Sequence, residues 1–275
     1  MSVLFYTHPV AMQHDAGPGH PESPLRIKAI LKALESNPVP GLERLEAPLA
    51  TLEQVQRVHP ERYTSRMLSS VPAQGYVRVD SDTVLCPHTG EAALRAAGGA
   101  CAAVDAVLAG PVRHAFCAMR PPGHHAEAME AMGFCVFNNV AVAAMHARAA
   151  HHLSRIAIFD FDVHHGNGTQ AIFWDDPDTL YVSTHQAPLY PGTGLFSERG
   201  IKGNILNRPL PPGTGSDAWR RVVERDVLPA IGRWRPELIL ISAGFDAHAD
   251  DPLASMALVE EDFAWVTREL CVLAD

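Results

Sequence analysis

The sequence predicts an α/β fold with a mostly parallel central sheet and helices on both faces. Two observations predict it. Short apolar strands alternate with helical stretches along the whole chain, and long loops follow the strands at 120–137, 185–200 and 243–258. Such alternation joins parallel strands through crossover helices, as in one doubly wound sheet. A third observation sets the scale: 275 residues, 47% hydrophobic and 19% charged, suffice for one large domain with a substantial core.

In chain order, Val3 to Thr7 reads as a strand and Pro24 to Glu35 as an amphipathic helix introduced by Ser23. Thr89 to Ala109 is Ala-rich and should be helical, stopped by Gly110 and Pro111. His114 to Met119 follows as a strand, then a helix from Asn138 to His151 with Asn138 as its cap. Arg155 to Phe159 is apolar and β-branched, as a buried strand is. Thr169 to Trp174 makes a short helix and Thr179 to Thr184 a strand. Asp217 to Arg233 (helix), Leu238 to Ser242 (strand) and Glu260 to Leu273 (helix) complete the pattern. There is no internal repeat, low-complexity tract or linker. The loops carry too many aromatics for disorder, and long loops at strand ends are usually functional.

Composition excludes several classes. With 22 Lys and Arg against 31 Asp and Glu, a net charge of −9 gives no general surface for nucleic acid or anionic membrane. The start, MSVLFYTHPV, has no basic flank or long apolar core, so no signal peptide is expected. No stretch is read as approaching the ~20 apolar residues of a membrane span. The five cysteines are scattered without a CxxC pair, which fits a reducing cytoplasm. Fifteen clustered histidines are the one compositional hint of metal chemistry.

Ligands of open α/β sheets sit beyond the carboxyl ends of the strands. Three strands here end in polar groups: His124 and His125 in RPPGHH, Asp160, Asp162, His164 and His165 in DFDVHHGN, and Asp246 in AGFDAHADD. They are expected to meet on one sheet edge. Asp162 and His164 stand two apart, so an extended chain points both the same way. With Asp246 they make three ligands and leave a position open, as catalytic metal sites do. Nitrogen and oxygen donors suit zinc, with iron(II), cobalt and manganese as alternatives. Alone, an Asp-x-His would read as a helix cap beside surface histidines; the second acidic strand end and the paired histidines count against that reading.

RPPGHH, GFCVFNN, FDFDVHHGNGTQ, YPGTG and SAGFDAHADDPL, in this order, resemble the histone deacetylase superfamily of the class II-like bacterial type. The resemblance runs from HDAGPGHPESPLRI to the chain's end. It implies the three-layer arginase/deacetylase fold and zinc-dependent removal of acyl groups from amines. By position, Asp162, His164 and Asp246 would hold Zn2+. His125 would be general base then acid, and His124 mainly an electrostatic support. Asp160 and Asn167 would partner His124 and His125 respectively. A carboxylate raises the basicity of one imidazole, whereas a neutral amide leaves the other less basic. Asn rather than Asp at 167 favours the class II-like assignment. The resemblance also implies K+ (or Na+) on Asp160, Asp162, His164, Ser183 and Thr184, and a second monovalent site at Phe173, Asp176 and Thr179.

The same resemblance gives a tunnel walled by Gly133, Phe134 and Tyr190 for an aliphatic lysine stem. Leu253 stands where polyamine deacetylases of the family carry Glu, which favours acyl-lysine or another small acylamide over acetylpolyamines. Asp82 is a candidate for holding substrate backbone at the rim, with capping or solvation as the alternative. His151 and His152 are read as favouring a helix C-terminal dipole. His8, His59, His88, His114 and His146 show no ligand spacing, and His14, His20 and His248 either lie near the mouth or face solvent.

One departure stands out. The family supplies a tyrosine from a Gly-Gly-Tyr loop after the last zinc ligand, and none of the five tyrosines here follows Asp246. The expectation is therefore a single deacetylase-like catalytic domain over residues 1–275, cut short at its C-terminus. A lost oxyanion donor costs on the order of 10²–10³ in rate. Three functions follow: an acyl-lysine deacetylase, an acetylpolyamine amidohydrolase, or a zinc-binding module with weak turnover. A cytoplasmic protein, with oligomers allowed, completes the reading.

Overall fold

A computed structural model describes residues 2–274. The chain forms two compact units, Met1–His152 and Leu153–Asp275. In the first, β1 (Val3–Thr7) leads through a 3-10 turn, Pro9–Met12, to α1 (Pro24–Ser36), whose N-cap Ser23 accepts from the Leu25 amide. Then come β2 (Leu42–Glu46), α2 (Leu52–Gln56), α3 (Glu61–Ser69) and a small antiparallel pair, β3 (Val77–Arg78) and β4 (Val84–Leu85). The long α4 (Thr89–Ala109), β5 (His114–Cys117) and α5 (Asn139–His151) complete the unit.

β1 lies between β2 and β5 in an all-parallel ladder. Successive strand side chains point to opposite faces. Accordingly Leu4 and Tyr6 pack with Ala103 of α4, while Phe5 packs with Ile27 of α1. One strand thus has a helix on each face. The Ala and Gly content of α4 permits close approach: a β-carbon on Gly98 would stand 2.2 Å from the Pro48 carbonyl oxygen. At 21 residues α4 is long and apolar enough to span a membrane by length and composition, which corrects the reading that no such stretch exists. Its apolar face is instead taken up inside the unit.

The second unit begins with β6 (Ile156–Asp160), α6 (Asn167–Ile172), β7 (Thr179–Gln186) and β8 (Ile205–Leu210). A helix follows in three parts: α7 (Ser216–Val222), a wider π-helical stretch Val223–Val227, and α8 (Leu228–Trp234). Then come β9 (Leu238–Ser242) and α9 (Glu260–Ala274). The ladder order is β8-β7-β6-β9, again all parallel. Every residue of β6 and β7 is buried, as in strands covered on both faces. Ala157 and Phe159 share a core with Trp219, Ile231, Phe263 and Val266.

Six elements carry no clear signal in the sequence: β2, α2, α3, β3, β4 and β8. LERLE in β2 is polar on an edge strand, and α2 is five residues long, too short for a periodic signal. α6 begins two residues earlier than expected, and β7 runs two residues longer.

Candidate functional site

The second unit brings Asp162, His164 and Asp246 together. β6 and β9 pair in parallel, with Asp160 opposite Ser242, so the chain leaves the sheet at the same level twice. The Asp162 amide then donates to Asp160 Oδ1 (3.2 Å), and the His164 amide to Asp162 Oδ1 (2.8 Å). The Val163 amide holds Asp246 Oδ1 at 2.9 Å, which fixes that carboxylate from the other segment. His164 Nδ1 then lies 3.1 Å from Asp162 Oδ1 and 3.0 Å from Asp246 Oδ2. Gly244 makes room: a β-carbon there would be 2.0 Å from Asp162 Oδ2.

The electrostatics suit a cation. Burial opposes charging of His164, yet the two carboxylates outweigh it and raise the imidazole to about 10. Burial, and then the charge of Asp162, push the Asp246 carboxyl above its ordinary range. Two acids about one imidazole therefore demand positive charge, which a divalent ion would supply in place of a proton.

A second such group exists among the described residues: Asp105, His146 and His151 in the first unit. Its geometry is different. Both Nε2 atoms lie 2.7 Å from the same oxygen, Asp105 Oδ1. That is a charge-assisted hydrogen-bond length, whereas tetrahedral donors at zinc distances stand about 3.3 Å apart. Arg57 Nη1 is 3.0 Å from His146 Nδ1, so that nitrogen keeps its lone pair and Nε2 carries the proton toward Asp105. This cluster is a proton-bridged brace between α4 and α5. It gives His146 a structural partner in Asp105 and gives His151 one besides the helix dipole.

Asp160 is fully buried, its Oδ2 accepting from Tyr181 Oη at 3.3 Å. Asn167 is buried at the start of α6. Ser183 stands opposite Asp160 across the ladder. His185 Nε2 donates to the Gly194 carbonyl (3.0 Å), so its Nδ1 accepts from Ser183 Oγ (2.8 Å), leaving the Ser183 oxygen lone pairs for another donor or cation. Thr184 Oγ1 accepts from Trp219 Nε1 at 3.1 Å. The Phe173 and Thr179 carbonyls converge on one amide, Asn204 Nδ2, at 2.8 and 3.0 Å. Asp176 Oδ1 accepts from the Asp178 amide.

Tyr190 is exposed, its ring edge-on to His164 with centroids 6.3 Å apart. Its loop is tied to the framework at three points. His165 Nδ1 accepts from Thr193 Oγ1 (2.8 Å), His185 holds Gly194, and Gln170 Nε2 donates to Glu198 Oε2 (2.7 Å). His165, unassigned from sequence, is therefore a loop anchor. Leu253 is exposed in a turn where its amide meets Asp251 Oδ1. His248 pairs with Glu260.

In the first unit His124 and His125 are buried with ring centroids 3.9 Å apart. Gly133 (φ +56°) and Phe134 (φ +68°) are both left-handed, and a β-carbon on Gly133 would meet the His125 ring at 2.3 Å. Several further residues hold this region, none of them given a role from sequence. Arg120, buried, pairs with Glu22 and donates to the Ala11 and His14 carbonyls at 2.7 and 2.8 Å. His59 donates from Nδ1 to Ala128 O and accepts the Asn138 amide on Nε2 at 2.8 Å; burial lowers it to about 4. Tyr63 Oη donates to Val136 O at 2.6 Å. Asp82 Oδ1 accepts from the Gly133 amide and from Thr83 Oγ1, each at 3.0 Å.

A family model of the histone deacetylase domain matches residues 20–275. A histone deacetylase-like amidohydrolase of Pseudomonas aeruginosa is 44% identical over 263 residues, 93% of this chain and 68% of the relative. The chloroplastic histone deacetylase 14 of Arabidopsis thaliana is 39% identical over 291 residues, 98% and 69% of the two chains. The crystal structure of the HDA15 HD domain matches with a TM-score of 0.92 at 33% identity, over 99% of this chain and 80% of that one. That likeness places the fold in the three-layer α/β arginase/deacetylase class expected from the sequence.

Proposed function

The chain belongs to the histone deacetylase family, and from that premise we propose that it hydrolyses acyl-lysine or a related acylamide with zinc held by Asp162, His164 and Asp246. The observation that carries this reading is the pair of carboxylates within 3.1 Å of one imidazole nitrogen, a set short of positive charge. Zinc, when bound, polarises an acyl carbonyl and brings its water's pKa toward ~7.

The chain's own residues do the rest. His125 takes the nucleophile's proton and returns it to the leaving amine, while His124 supports the developing charge. Phe134 and Tyr190 flank the stem and exclude water from it. Ser183 spends its hydroxyl proton on His185, and its remaining lone pairs suit K+ or Na+ shared with Asp160, Asp162, His164 and Thr184. Phe173, Asp176 and Thr179 form the second monovalent site of the same proposal.

Leu253 favours acyl-lysine over acetylpolyamine, since an exposed apolar side chain offers no anion to a second ammonium. The test is metal analysis of the purified chain, with hydrolysis of an acetyl-lysine peptide and of acetylspermidine measured side by side. One zinc per chain and peptide turnover lost in Asp162→Asn are expected. A chain that binds no zinc, or an Asp162→Asn variant with full activity, would sink the proposal.

A further inference from the structure

The β3–β4 turn reaches across to the Gly133–Phe134 segment in three ways. Asp82 Oδ1 accepts from the Gly133 amide at 3.0 Å, and Thr83 Oγ1 accepts from the Phe134 amide at 3.1 Å. His20 completes the arrangement. Its Nδ1 accepts from the Glu22 amide at 3.1 Å, so Nε2 carries the proton and donates to the Asp82 carbonyl at 3.0 Å. The same ring meets Phe134 edge-on, with centroids 4.9 Å apart.

This segment needs holding. Phe134 has φ +68°, a left-handed backbone that a residue with a β-carbon adopts only when its surroundings impose it. Gly133, beside it, leaves no room for a side chain: a β-carbon there would stand 2.3 Å from the His125 ring, so backbone and ring are close-packed. A shift of a few tenths of an ångström in Gly133 is therefore passed to that imidazole.

We propose that Asp82 is a positioning residue: with Thr83 and His20 it clamps the Gly133–Phe134 backbone and so fixes the Phe134 wall and the His125 ring. Asp82 then acts through its hydrogen-bond acceptor, not its charge, and on every substrate, whether or not a peptide backbone flanks the acyl group. This rests on the roles given above to Phe134 and His125.

The experiment compares Asp82→Ala, Asp82→Asn and Thr83→Val with the wild-type chain, all checked for equal zinc content. Amide hydrogen exchange at Gly133 and Phe134 should rise about tenfold in Asp82→Ala and Thr83→Val but stay within about threefold in Asp82→Asn, whose amide oxygen still accepts. kcat on an acetyl-lysine peptide and on a small acetylamide without flanking peptide bonds should fall together, about tenfold, in Asp82→Ala and recover in Asp82→Asn. A loss confined to the peptide substrate would overturn the clamp in favour of a direct rim contact. Unchanged exchange at Gly133 would overturn it outright. The exchange readout needs no turnover, so an inactive wild-type chain would count against the deacetylase reading alone.

Discussion

Gly244→Ala should weaken the proposed metal site far more than it weakens the fold. The added β-carbon would lie 2.0 Å from Asp162 Oδ2 and 2.5 Å from its Cγ, where real contacts essentially never fall below 3.0 Å. Either the carboxylate or the chain after β9 must yield by about 1 Å, several times the roughly 0.2 Å that metal–ligand distances tolerate. Disturbing groups behind a ligand costs about 10–100-fold in metal affinity. Displacing the ligand itself should reach at least about 100-fold, or roughly 2.7 kcal/mol. The assay is competitive zinc titration against a chromophoric chelator, with urea unfolding of the metal-free variant in parallel. A zinc Kd within threefold of wild type, on a folded variant, would refute the argument that Gly244 makes room for Asp162.

Three further outcomes follow from the geometry. Arg120→Met leaves the buried Glu22 carboxylate short of its partner and should cost about 3–5 kcal/mol in urea unfolding, with part regained by adding Glu22→Gln; simple additivity would contradict the pairing. Burial lowers His59 and His185 to about 4, below their ordinary 6.5, so the unfolded chain takes up protons first on acidification. Stability is then full above pH ~6.5 and falls toward pH ~4, each group contributing up to roughly 3 kcal/mol; a flat urea midpoint between pH 7.5 and 5 would exclude this. Leu253→Glu should raise kcat/KM for acetylspermidine up to about fivefold, the ~1 kcal/mol reach of an exposed ion pair, and the gain should fade with salt.

The second unit was largely legible in the sequence because its signals are local. IAIFD has no polar residue until Asp160, and LILIS has none until Ser242, so both strands and their ends declare themselves. The candidate ligand group Asp162, His164 and Asp246 lies just beyond those ends. What was hidden depends on partners far apart in sequence. Glu22 and Arg120 are 98 residues apart, and nothing in HPES or RPPG announces a buried ion pair. Asp105 and His146, 41 apart, sit on different helices with no spacing signal. Asp82 reads as a rim, capping or solvated residue, and nothing in DSDT announces the Gly133 amide 51 residues away that it accepts from. His59 lies between two short helices and becomes meaningful only beside Asn138.

The tethered 188–203 loop has a consequence for how the protein can be inactivated. Its tip is open to solvent at Leu195 and Ile201, the kind of place where proteases nick. Its roots, though, are side chains of the framework: His165, adjacent in sequence to His164, together with Gln170 and His185. A single cut at the tip would release Thr193, Gly194 and Glu198 from these roots and leave buried imidazole and amide groups seeking new partners. If zinc is held as proposed, limited digestion should release it while Asp162, His164 and Asp246 stay covalently intact, and bound zinc should slow the cut by keeping the roots in register.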